Sequence, residues 1–549
     1  MRIPKLNKVK YYPTFTEMID SLFSNKGDAP VISWFNRKGE EQTVSAEKLY
    51  SDVIGLKESL ISQGLSGRHI AILSENSYEW LLVYFAATYC GAVVVCIDIE
   101  QSNDTIEQML EMAEVDALFC SSSLNSLCKS WAEAAGDKKA FSMSGTGEGT
   151  VESLINQGHE LIESGNGCKE KPAVSGESVA SIVFTSGTTS SSKLVMLSHE
   201  AILTNASDAL ANVAIGKVAF TSLPFYHTYG LTCSVLSMLI GGAQLYINGN
   251  LRTVMRDLKL AKPHTMLTVP LMLEAIHRGL WQTAEEKGKA NGLRKLLGIR
   301  GFLMKLGVKK CGKTLDNIRK NCFGEIRLII CGGAHMSADI MGEFLKLGVT
   351  VVQGYGITEC APLVSVNRNY ANKLGSVGLV TPNCEVKIVD DEILVRGKNL
   401  MSGYYKDPQM TDEAMQDGWF KTGDLGYIDR DGFLYLTGRK KNLIVFKNGK
   451  KLSPEKLEEK IKKIPFVKDV VVYGAASGVS NDDVQVATSI FPNEEKTAGM
   501  DSYELLEALQ SEINLINKEL PLYQQIQMVN IRETEFAKTS LQKVRRHLI

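Results

Sequence analysis

Seven hydroxyl side chains and one glycine fill residues 185–192, and Lys193 follows them directly. Hydroxyl groups, backbone N–H groups left open by an irregular loop, and a cation can together replace the water around a phosphate. The same composition is typical of a solvated linker. The flanking residues favour the phosphate site, because residues 182–184 and 194–197 have the apolar, β-branched pattern of short buried strands, and Ser198 has the character of a helix N-cap.

This segment differs from the two most common phosphate-binding loops. A P-loop needs a glycine just before the lysine and a hydroxyl just after it, whereas this chain has Ser192 and Leu194 there. The dinucleotide fingerprint is not satisfied by GYGITE, because Glu359 stands where the third glycine should be. A kinase-like P-loop and a dinucleotide site are therefore excluded at these positions.

The composition describes a globular protein without a strong electrostatic preference. The 549 residues include 61 Lys plus Arg and 62 Asp plus Glu, so the bulk charge favours no nucleic-acid partner. The eleven cysteines are scattered without a C-x-x-C pair, which indicates a reducing compartment more than a disulfide framework or a zinc site. We therefore expect a cytoplasmic location.

Two apolar stretches, residues 80–97 and 229–247, approach the length that spans a bilayer. The first is interrupted by Gly91 and the second by Gly241 and Gly242. An apolar helix, a glycine turn and a β-branched run are typical of a buried helix that leads into a buried strand. We expect no transmembrane segment and no secretory signal, and peripheral membrane contact stays open.

Strand-like and helix-like runs alternate over most of the chain, which predicts an α/β fold with mainly parallel sheets covered by helices. The predicted strands include HIAIL, AVVVCID, ALFC, KVAFTSL, TMLTV, RLIIC and VTVVQ. We expect a large N-terminal domain at residues 1–438, with a β-rich subdomain at about 375–438, and a small, mobile α+β domain at residues 439–549. The Gly, Glu and Ser-rich residues 144–175 predict a surface loop.

Seven separated segments carry recognisable motifs. In chain order they are TSGTTSSSK (185–193), LPFYHTYGL (223–231), CGGA (331–334), GYGITE (354–359), GWFKTGDLG (418–426), LTGRKKNLIV (436–445) and AKTSLQKVRR (537–546). In this order they resemble the acyl-adenylate-forming enzymes, the AMP-dependent synthetase and ligase family, and are most like its fatty acyl-CoA synthetases. The resemblance extends from about residue 49 to the C-terminus. Each motif is weak alone, and their common order carries the resemblance.

The resemblance implies a two-step reaction that uses ATP, Mg²⁺ and CoA. A carboxylate attacks the α-phosphate of ATP and pyrophosphate leaves; a thiol then attacks the acyl-adenylate and AMP leaves. The first step is needed because oxide would be a very poor leaving group. Since charge builds up on an anionic triphosphate, donors and cations must be positioned in advance.

The resemblance also assigns residues to the nucleotide and the metal. Thr185 and Glu359 would hold Mg²⁺, which prefers hard oxygen ligands, although Glu359 alone could be an ordinary surface carboxylate. Tyr355 would stack on adenine, and Thr358 would reach the α-phosphate. The loop residues that would bind the β- and γ-phosphates are Thr185, Ser186, Gly187, Thr188, Thr189 and Lys193. The residues that would let the base approach the backbone are Gly332, Gly333, Ala334 and Gly356.

The ribose would be bound further along the chain. By resemblance, Asp424 would accept hydrogen bonds from both ribose hydroxyls, which suits a carboxylate, and Arg439 would close over the same ribose. Taken alone, an aspartate in the TGDLG segment is just as consistent with a simple turn residue.

Lys543 would catalyse adenylation by bridging the attacking carboxylate and the α-phosphate, again by resemblance. Its neighbours Arg545 and Arg546 alone would suggest a solvated basic tail. The resemblance further implies that the C-terminal domain rotates about a hinge at Lys441, so that the loop around Gly449 lines the tunnel for the thiol.

The chain departs from the family in four places. The family usually has glycine, proline and glycine at Ser190, Ser192 and Leu194, and glycine at Gln542, just before the lysine. These differences bear on loop mobility and rate more than on the class of reaction.

The acid substrate is expected to have a neutral tail. Residues 222–245 contain no carboxylate, so the ammonium of an amino acid would have no partner there. We expect a medium- or long-chain fatty acid, with aryl acids as the alternative, and an acyl carrier protein as the alternative acceptor to CoA. His227 would gate the acyl pocket, although a partly buried structural histidine fits equally well. The apolar segment LTCSVLSMLIGGA could line an alkyl channel or form a core helix.

Overall fold

The computed structural model describes residues 3–134, 136–145, 147–168, 172–185, 193–308, 312–334, 336–447, 449–476, 484–539 and 544–548. The chain forms two compact units. Unit 1 comprises Met1–Glu385, Val395–Phe420 and Asp431–Phe433, and unit 2 comprises Val386–Leu394, Lys421–Arg430 and Leu434–Ile549. The predicted α/β fold class is confirmed, and the division at residues 438 and 439 stays a prediction.

The first part of unit 1 alternates strands and helices. Its elements are α1 (Phe15–Phe23), β1 (Pro30–Phe35), β2 (Glu41–Ser45), α2 (Ala46–Ser62), β3 (His69–Leu73), α3 (Tyr78–Tyr89), β4 (Val93–Cys96), α4 (Asn103–Met112), β5 (Ala117–Cys120), α5 (Asn125–Ala134), β6 (Lys139–Ser142), α6 (Val151–Glu163), β7 (Val179–Phe184) and β8 (Leu194–Ser198).

The second part of unit 1 adds the strands that carry most of the candidate site. Its elements are α7 (His199–Asn212), β9 (Val218–Thr221), a π-helix (Tyr229–Leu236), α8 (Ser237–Ile240), β10 (Gln244–Ile247), α9 (Val254–Ala261), β11 (Thr265–Thr268), α10 (Pro270–Glu286), α11 (Ala290–Lys305), α12 (Lys313–Phe323), β12 (Leu328–Cys331), α13 (Ala338–Lys346), β13 (Thr350–Gly356), β14 (Leu363–Val366) and β15 (Gly378–Val380).

The remaining elements complete the chain. They are β16 (Cys384–Val389), β17 (Glu392–Gly397), β18 (Gly403–Tyr404), α14 (Pro408–Ala414), β19 (Met415–Gln416), β20 (Trp419–Ile428), β21 (Phe433–Arg439), β22 (Ile444–Val445), β23 (Lys451–Leu452), α15 (Pro454–Ile461), β24 (Val467–Ala476), β25 (Val484–Pro492), α16 (Glu494–Thr497), α17 (Ser502–Lys518) and β26 (Ile526–Ile531).

Two sheets organise unit 1. One has the strand order β18-β8-β7-β4-β3-β5-β6 and is parallel from β7 to β6. The other runs β15-β14-β13-β12-β11-β9-β10-β1-β2 and is parallel from β13 to β1. The strands predicted from sequence are confirmed as β3, β4, β5, β9, β11, β12 and β13. Their near-continuous apolar runs reflect burial on both faces of a parallel sheet.

The two long apolar stretches fold as the sequence predicts. Helix α3 is buried on all sides, the chain turns at Gly91 with a φ of +77°, and β4 follows. The π-helix and α8 are equally buried and lead through Gly242, with a φ of +72°, into β10. Within the described residues, no helix combines the length and the apolar character needed to cross a membrane.

The prediction of a surface loop at residues 144–175 is wrong for much of this range, because α6 occupies its middle. Thr150 and Ser153 form a reciprocal capping box at the start of α6. Val151 and Leu154 are buried, and Gly158 approaches α2 so closely that a Cβ there would overlap the carbonyl of Gly55. The Ser- and Gly-rich composition concealed this helix because its glycine is a packing contact and its hydroxyls are caps.

Cys120 at the end of β5 and Cys128 in α5 lie side by side, with 6.8 Å between their Cα atoms. Helix α5 returns along the strand that precedes it, which brings the two side chains together.

Unit 2 contains its own hydrophobic core. The strands β24, β25 and β26 form a sheet, antiparallel between the first two and parallel between the last two. Helices α15 and α17 cover it with buried Leu457, Ile461 and Leu509. Strands β20 and β21 are antiparallel and are joined through the predicted hairpin turn at residues 429–432.

Candidate active site

The hydroxyl-rich segment begins and ends on one hairpin. Strands β7 and β8 are antiparallel with Phe184 opposite Leu194, and the Thr185 N–H donates to the Lys193 carbonyl at 3.0 Å. Ser198 caps α7 by accepting from the Ala201 N–H, as predicted. The intervening candidates Ser186, Gly187, Thr188 and Thr189, with Ser190 and Ser192, lie outside the described residues.

Tyr404 connects Lys193 with Glu359. Its hydroxyl donates to Oε1 of Glu359 at 2.9 Å, and Nζ of Lys193 lies 3.5 Å from that hydroxyl and 4.8 Å from the centroid of the ring. Burial and the Glu359 carboxylate raise the pKa of Tyr404, so the phenol stays protonated and acts as a donor. The structure therefore brings two predicted site residues to a common tyrosine.

The backbone around Tyr404 is fixed by the same elements. Strand β18 is antiparallel to β8, with Tyr404 opposite Val195. The Met401 N–H donates to the Glu359 carbonyl at 2.8 Å, and the Tyr405 N–H donates to the Leu194 carbonyl at 2.8 Å. These bonds on both sides of β18 leave the Tyr404 side chain little freedom to move away from Glu359.

Thr358 and Glu359 lie in a single 3₁₀ turn, Thr358–Cys360, just after β13. Both are half-buried. Gly356, the last residue of β13, is exposed and packs against the following segment: a Cβ there would lie 2.3 Å from the carbonyl oxygen of Pro362. A larger residue at 356 would therefore displace the turn that carries the carboxylate.

The CGGA segment follows β12, the strand parallel to β13. Gly332 and Gly333 continue directly from Cys331, and Gly333 has a φ of +88°, which favours glycine. Gln353 donates to the Ala334 carbonyl at 3.4 Å, and buried Tyr355 lies two residues beyond it on β13. Gly332, Gly333, Ala334, Tyr355 and Gly356 thus share the carboxyl edge of the sheet, where ligands bind in such folds.

Tyr229, to which the sequence motifs assign no role, supports this edge. Its hydroxyl lies 3.2 Å from the carbonyls of both Thr268 and Ile330, at the ends of β11 and β12. The Tyr229 ring lies beneath Gly332, where a Cβ would approach it to 3.1 Å. Glycine at 332 therefore allows a tyrosine to pack under the loop.

His227 precedes Tyr229 in the loop after β9. It is half-buried, and its ring lies 4.9 Å from that of Tyr226, centroid to centroid. The following apolar segment is a core element: buried Ser237 donates to the Ala206 carbonyl at 3.0 Å. Of the two interpretations of that segment, the structure favours the core helix over the wall of a channel.

Unit 2 places Asp424 and Arg439 together. They are direct partners on β20 and β21, and Nε of Arg439 lies 2.9 Å from Oδ1 of Asp424. Asp424 is 5% exposed and sits within a strand, so it is not a turn residue. A buried carboxylate beside an exposed guanidinium offers an acceptor and a cation to one polar ligand.

Lys441 and Gly449 also lie in unit 2. Lys441 is exposed in a 3₁₀ turn, Lys440–Asn442, immediately after β21. This turn is fixed on both sides, since Lys440 binds Glu392 at 2.7 Å and Asn442 binds Glu455 at 2.7 Å. Gly449 has a φ of +76° and its N–H donates to the Phe446 carbonyl at 2.8 Å, which places it at the tip of a turn.

Lys543 and the preceding Gln542 lie outside the described residues. The residues around them belong to unit 2. Lys538 and Val544 form an isolated antiparallel β-bridge, and the Arg545 N–H donates to the Ala537 carbonyl at 2.8 Å. Arg546 donates to both carboxylate oxygens of the largely buried Glu458 and to the Val472 carbonyl at 3.1 Å. This role of Arg546 is not predictable from the sequence, because a basic terminal run gives no sign of a buried partner.

Comparisons with known proteins identify relatives over most of the chain. Residues 21–405 match the family described as AMP-binding enzyme, and residues 441–549 match the AMP-binding enzyme C-terminal domain. A long-chain-fatty-acid–CoA ligase, FadD15, of Mycobacterium bovis is 27% identical over 480 residues, covering 83% of this chain and 79% of the relative.

Two further comparisons come from other organisms. The peroxisomal long chain acyl-CoA synthetase 6 of Arabidopsis thaliana is 29% identical over 463 residues, covering 76% of this chain and 65% of the relative. The ATP-bound crystal structure of MatB from Rhodopseudomonas palustris superimposes with a TM-score of 0.77 at 22% identity, over 97% of this chain and 98% of that one. At that identity the superposition shows a common fold.

Proposed function

Because the chain belongs to the AMP-binding enzyme family, we propose that it activates a medium- or long-chain fatty acid with ATP and transfers the acyl group to CoA. In the first step a carboxylate oxygen bonds to the α-phosphorus and the bond to pyrophosphate breaks. In the second step the thiol sulfur bonds to the acyl carbon, AMP leaves, and the thiol proton is released.

The observation that carries this proposal is the link from Lys193 through Tyr404 to Glu359. The buried Tyr404 hydroxyl contacts two charged groups. One is the Lys193 ammonium at the end of the hydroxyl-rich loop, and the other is the Glu359 carboxylate at the carboxyl edge of the sheet. This arrangement supports a site that binds a polyphosphate between Lys193 and the loop, with Glu359 on its other side. Since such charges are fixed before substrate binds, little reorganisation is needed as charge develops.

The donor chemistry fits Mg²⁺. The Glu359 carboxylate and the Thr185 hydroxyl are hard oxygen ligands, and we propose that they hold the ion together with phosphate oxygens. When bound, Mg²⁺ would neutralise part of the triphosphate charge. Lys193 would remain the protein's own cation for the β- and γ-phosphates, with Tyr404 fixing the orientation of Glu359.

The remaining site residues keep their proposed roles. Tyr355 and the backbone of residues 332–334 would bind adenine, and Thr358 the α-phosphate. Asp424 would accept from the ribose hydroxyls, with Arg439 beside it, and the ion pair between them supports a preorganised acceptor. Three further roles rest on the resemblance of the motifs. They are adenylation by Lys543, the hinge at Lys441 and the thiol tunnel at Gly449.

The choice of a fatty acid rests on two observations. Residues 222–245 contain no carboxylate to pair with an ammonium group, and two of the relatives are named as ligases or synthetases of long-chain fatty acids or acyl-CoA. His227, in the loop after β9, is the proposed gate. Aryl acids and acyl carrier protein are the alternative substrate and acceptor.

We extend the proposal to a cytoplasmic location. One relative is named as peroxisomal, so fractionation of cells that express the tagged chain tests this part separately from the activity.

Pyrophosphate release, measured over fatty acids of increasing chain length and over aryl and amino acids, tests the reaction. We expect release with medium or long fatty acids and ATP, and acyl-CoA formation when free CoA is added. Release with amino acids alone would overturn the choice of acid. Thioester formation only with a carrier protein would overturn the choice of acceptor, and no release with any acid would overturn the function.

A further inference from the structure

Helix α11 has two apolar faces, and only one of them packs against the protein. Leu293 and Leu297 are buried along one side of the helix. On the opposite side Ile299, Phe302 and Leu306 are 59%, 62% and 65% exposed. Because a soluble helix normally has a polar outer face, a second apolar stripe at this position requires an explanation.

The exposed stripe has helical spacing and continues past the helix end. Four exposed apolar residues occupy positions i, i+3, i+4 and i+7, and Val308 follows in the next turn. We call this set the α11 patch: Ile299, Phe302, Leu303, Leu306 and Val308. With 16 residues, α11 is about 24 Å long, so the patch covers most of its C-terminal half on one side.

The segment that carries the patch is rich in positive charge. Residues 287–313 contain nine Lys and Arg and no Asp or Glu, in a chain whose net charge is −1. Lys295, one turn before Ile299, and Lys305, beside Leu306, are exposed, and neither has an ion pair among the residues that the structure describes. Arg294 contacts two neighbouring side chains: it forms an ion pair with Glu285 at 3.8 Å and stacks over the ring of Trp281.

The patch is held in a fixed orientation. Buried Arg300 donates to the Val308 carbonyl at 2.8 Å and so ties the chain that leaves α11 back to the helix. Gly301 packs next to the side chain of Lys346 on α13, with 3.2 Å between a Cβ there and that side chain. The apolar residues are therefore presented to the outside by a rigid element.

We propose that the α11 patch is a docking surface for an anionic lipid bilayer. An apolar stripe flanked by lysines on one helix matches a membrane interface, where acyl chains take up the apolar side chains and lipid phosphates pair with the ammonium groups. The absence of acidic residues across 27 positions favours an anionic surface over a mixed-charge protein partner. This inference does not depend on the proposed catalytic reaction.

The test is co-sedimentation of the full-length chain with vesicles of phosphatidylcholine alone or mixed with phosphatidylglycerol. We expect binding to the mixed vesicles that weakens as salt is raised, because the charge component is screened. Replacing Phe302→Ser together with Leu306→Ser should weaken binding at least about tenfold, from the loss of buried apolar surface. Lys295→Gln with Lys305→Gln should weaken it by roughly fivefold for each charge.

The matched control is Leu515→Ser with Leu522→Ser, two exposed leucines of unit 2, which should leave binding unchanged. Circular dichroism of every variant checks that it is folded. The proposal is overturned if the wild-type chain ignores anionic vesicles, or if both α11 variants bind as the wild type does. It is equally overturned if the patch variants convert a dimer to a monomer without affecting vesicle binding, which would assign the face to a second copy of the chain.

Discussion

The Tyr404 hydroxyl donates a 2.9 Å hydrogen bond to the Glu359 carboxylate, and Tyr404 reaches it from a strand 45 residues further along the chain. The bond joins β18, the strand that pairs with β8, to the turn after β13. A proposed metal ligand is thus oriented by a residue that binds no substrate in our proposal.

Tyr404→Phe should lower the rate of pyrophosphate release by about tenfold or more. A hydrogen bond to a charged group contributes about 1.5–3 kcal/mol, and the ring over Lys193 would be retained. Steady-state kinetics with MgATP varied would show the loss, and the dependence on Mg²⁺ should shift to higher concentration. Tyr405→Phe is the control, since that hydroxyl binds exposed Glu114. Equal losses in both variants would contradict the orienting role.

Asp424→Asn should weaken AMP and ATP binding by about ten- to a hundredfold. The amide keeps the shape but loses the charge that pairs with Arg439 and one of its acceptor oxygens. Isothermal titration with AMP measures this directly. Glu385→Gln, which breaks an exposed pair with Arg396, should leave the affinity unchanged. An unaltered AMP affinity in the Asp424 variant would remove this residue from the nucleotide site.

Lys543→Ala should abolish acyl-adenylate formation and leave thioester formation from supplied acyl-adenylate largely intact. The ammonium group is proposed to act on the carboxylate and the α-phosphate, which react only in the first step. Separate assays of the two half-reactions measure this, with Lys496→Ala, an exposed lysine of unit 2, as the control. Equal loss of both half-reactions would argue against a role confined to adenylation.

Arg546→Met should destabilise the fold by about 3 kcal/mol, because it leaves the largely buried Glu458 carboxylate without its partner. Burial already raises the pKa of Glu458, with Arg546 acting in the opposite sense, so the variant should raise that pKa further. Urea unfolding monitored by fluorescence measures the change. Arg545→Met, one residue earlier, should cost little. Similar stability of both variants would indicate that Arg545 and Arg546 belong to a solvated basic tail.

Stability should depend on pH through His199. Burial lowers the pKa of His199 to about 4, and its Nδ1 accepts from the Phe15 N–H at 3.2 Å. The unfolded chain, with a histidine pKa near 6.5, therefore binds the proton more tightly than the folded one. The contribution of neutral His199 is fully present above about pH 6.5 and is lost as the pH falls towards 4, to a total of about 3 kcal/mol.

His199→Asn retains an acceptor for Phe15 and removes the titration. Urea unfolding between pH 4 and 7 should then show a shallower loss of stability than in the wild type, even if the variant is less stable at pH 7. His159→Asn controls for the loss of an imidazole elsewhere. A wild-type slope in the His199 variant would show that other groups cause the acid sensitivity.

Local sequence determined much of the fold and part of the site. The β-branched runs specified the parallel strands, Ser198 specified the start of α7, and the glycines at 91 and 242 specified the turns after two buried helices. These features depend on neighbouring residues alone, through backbone sterics, capping and hydrophobic periodicity. The order of seven short motifs was sufficient to indicate the family.

Only the tertiary structure decided which side chains meet. Nothing in MSGYY distinguishes Tyr404 from Tyr405, yet antiparallel pairing of β18 with β8 directs one to Glu359 and the other to exposed Glu114. Helix α6 was not predicted because it contains Gly158, and only the close contact of Gly158 with Gly55 explains a glycine there. Side chains on one strand alternate between opposite faces, so a partner far along the chain is fixed by register, and register is set by the packing of the whole sheet.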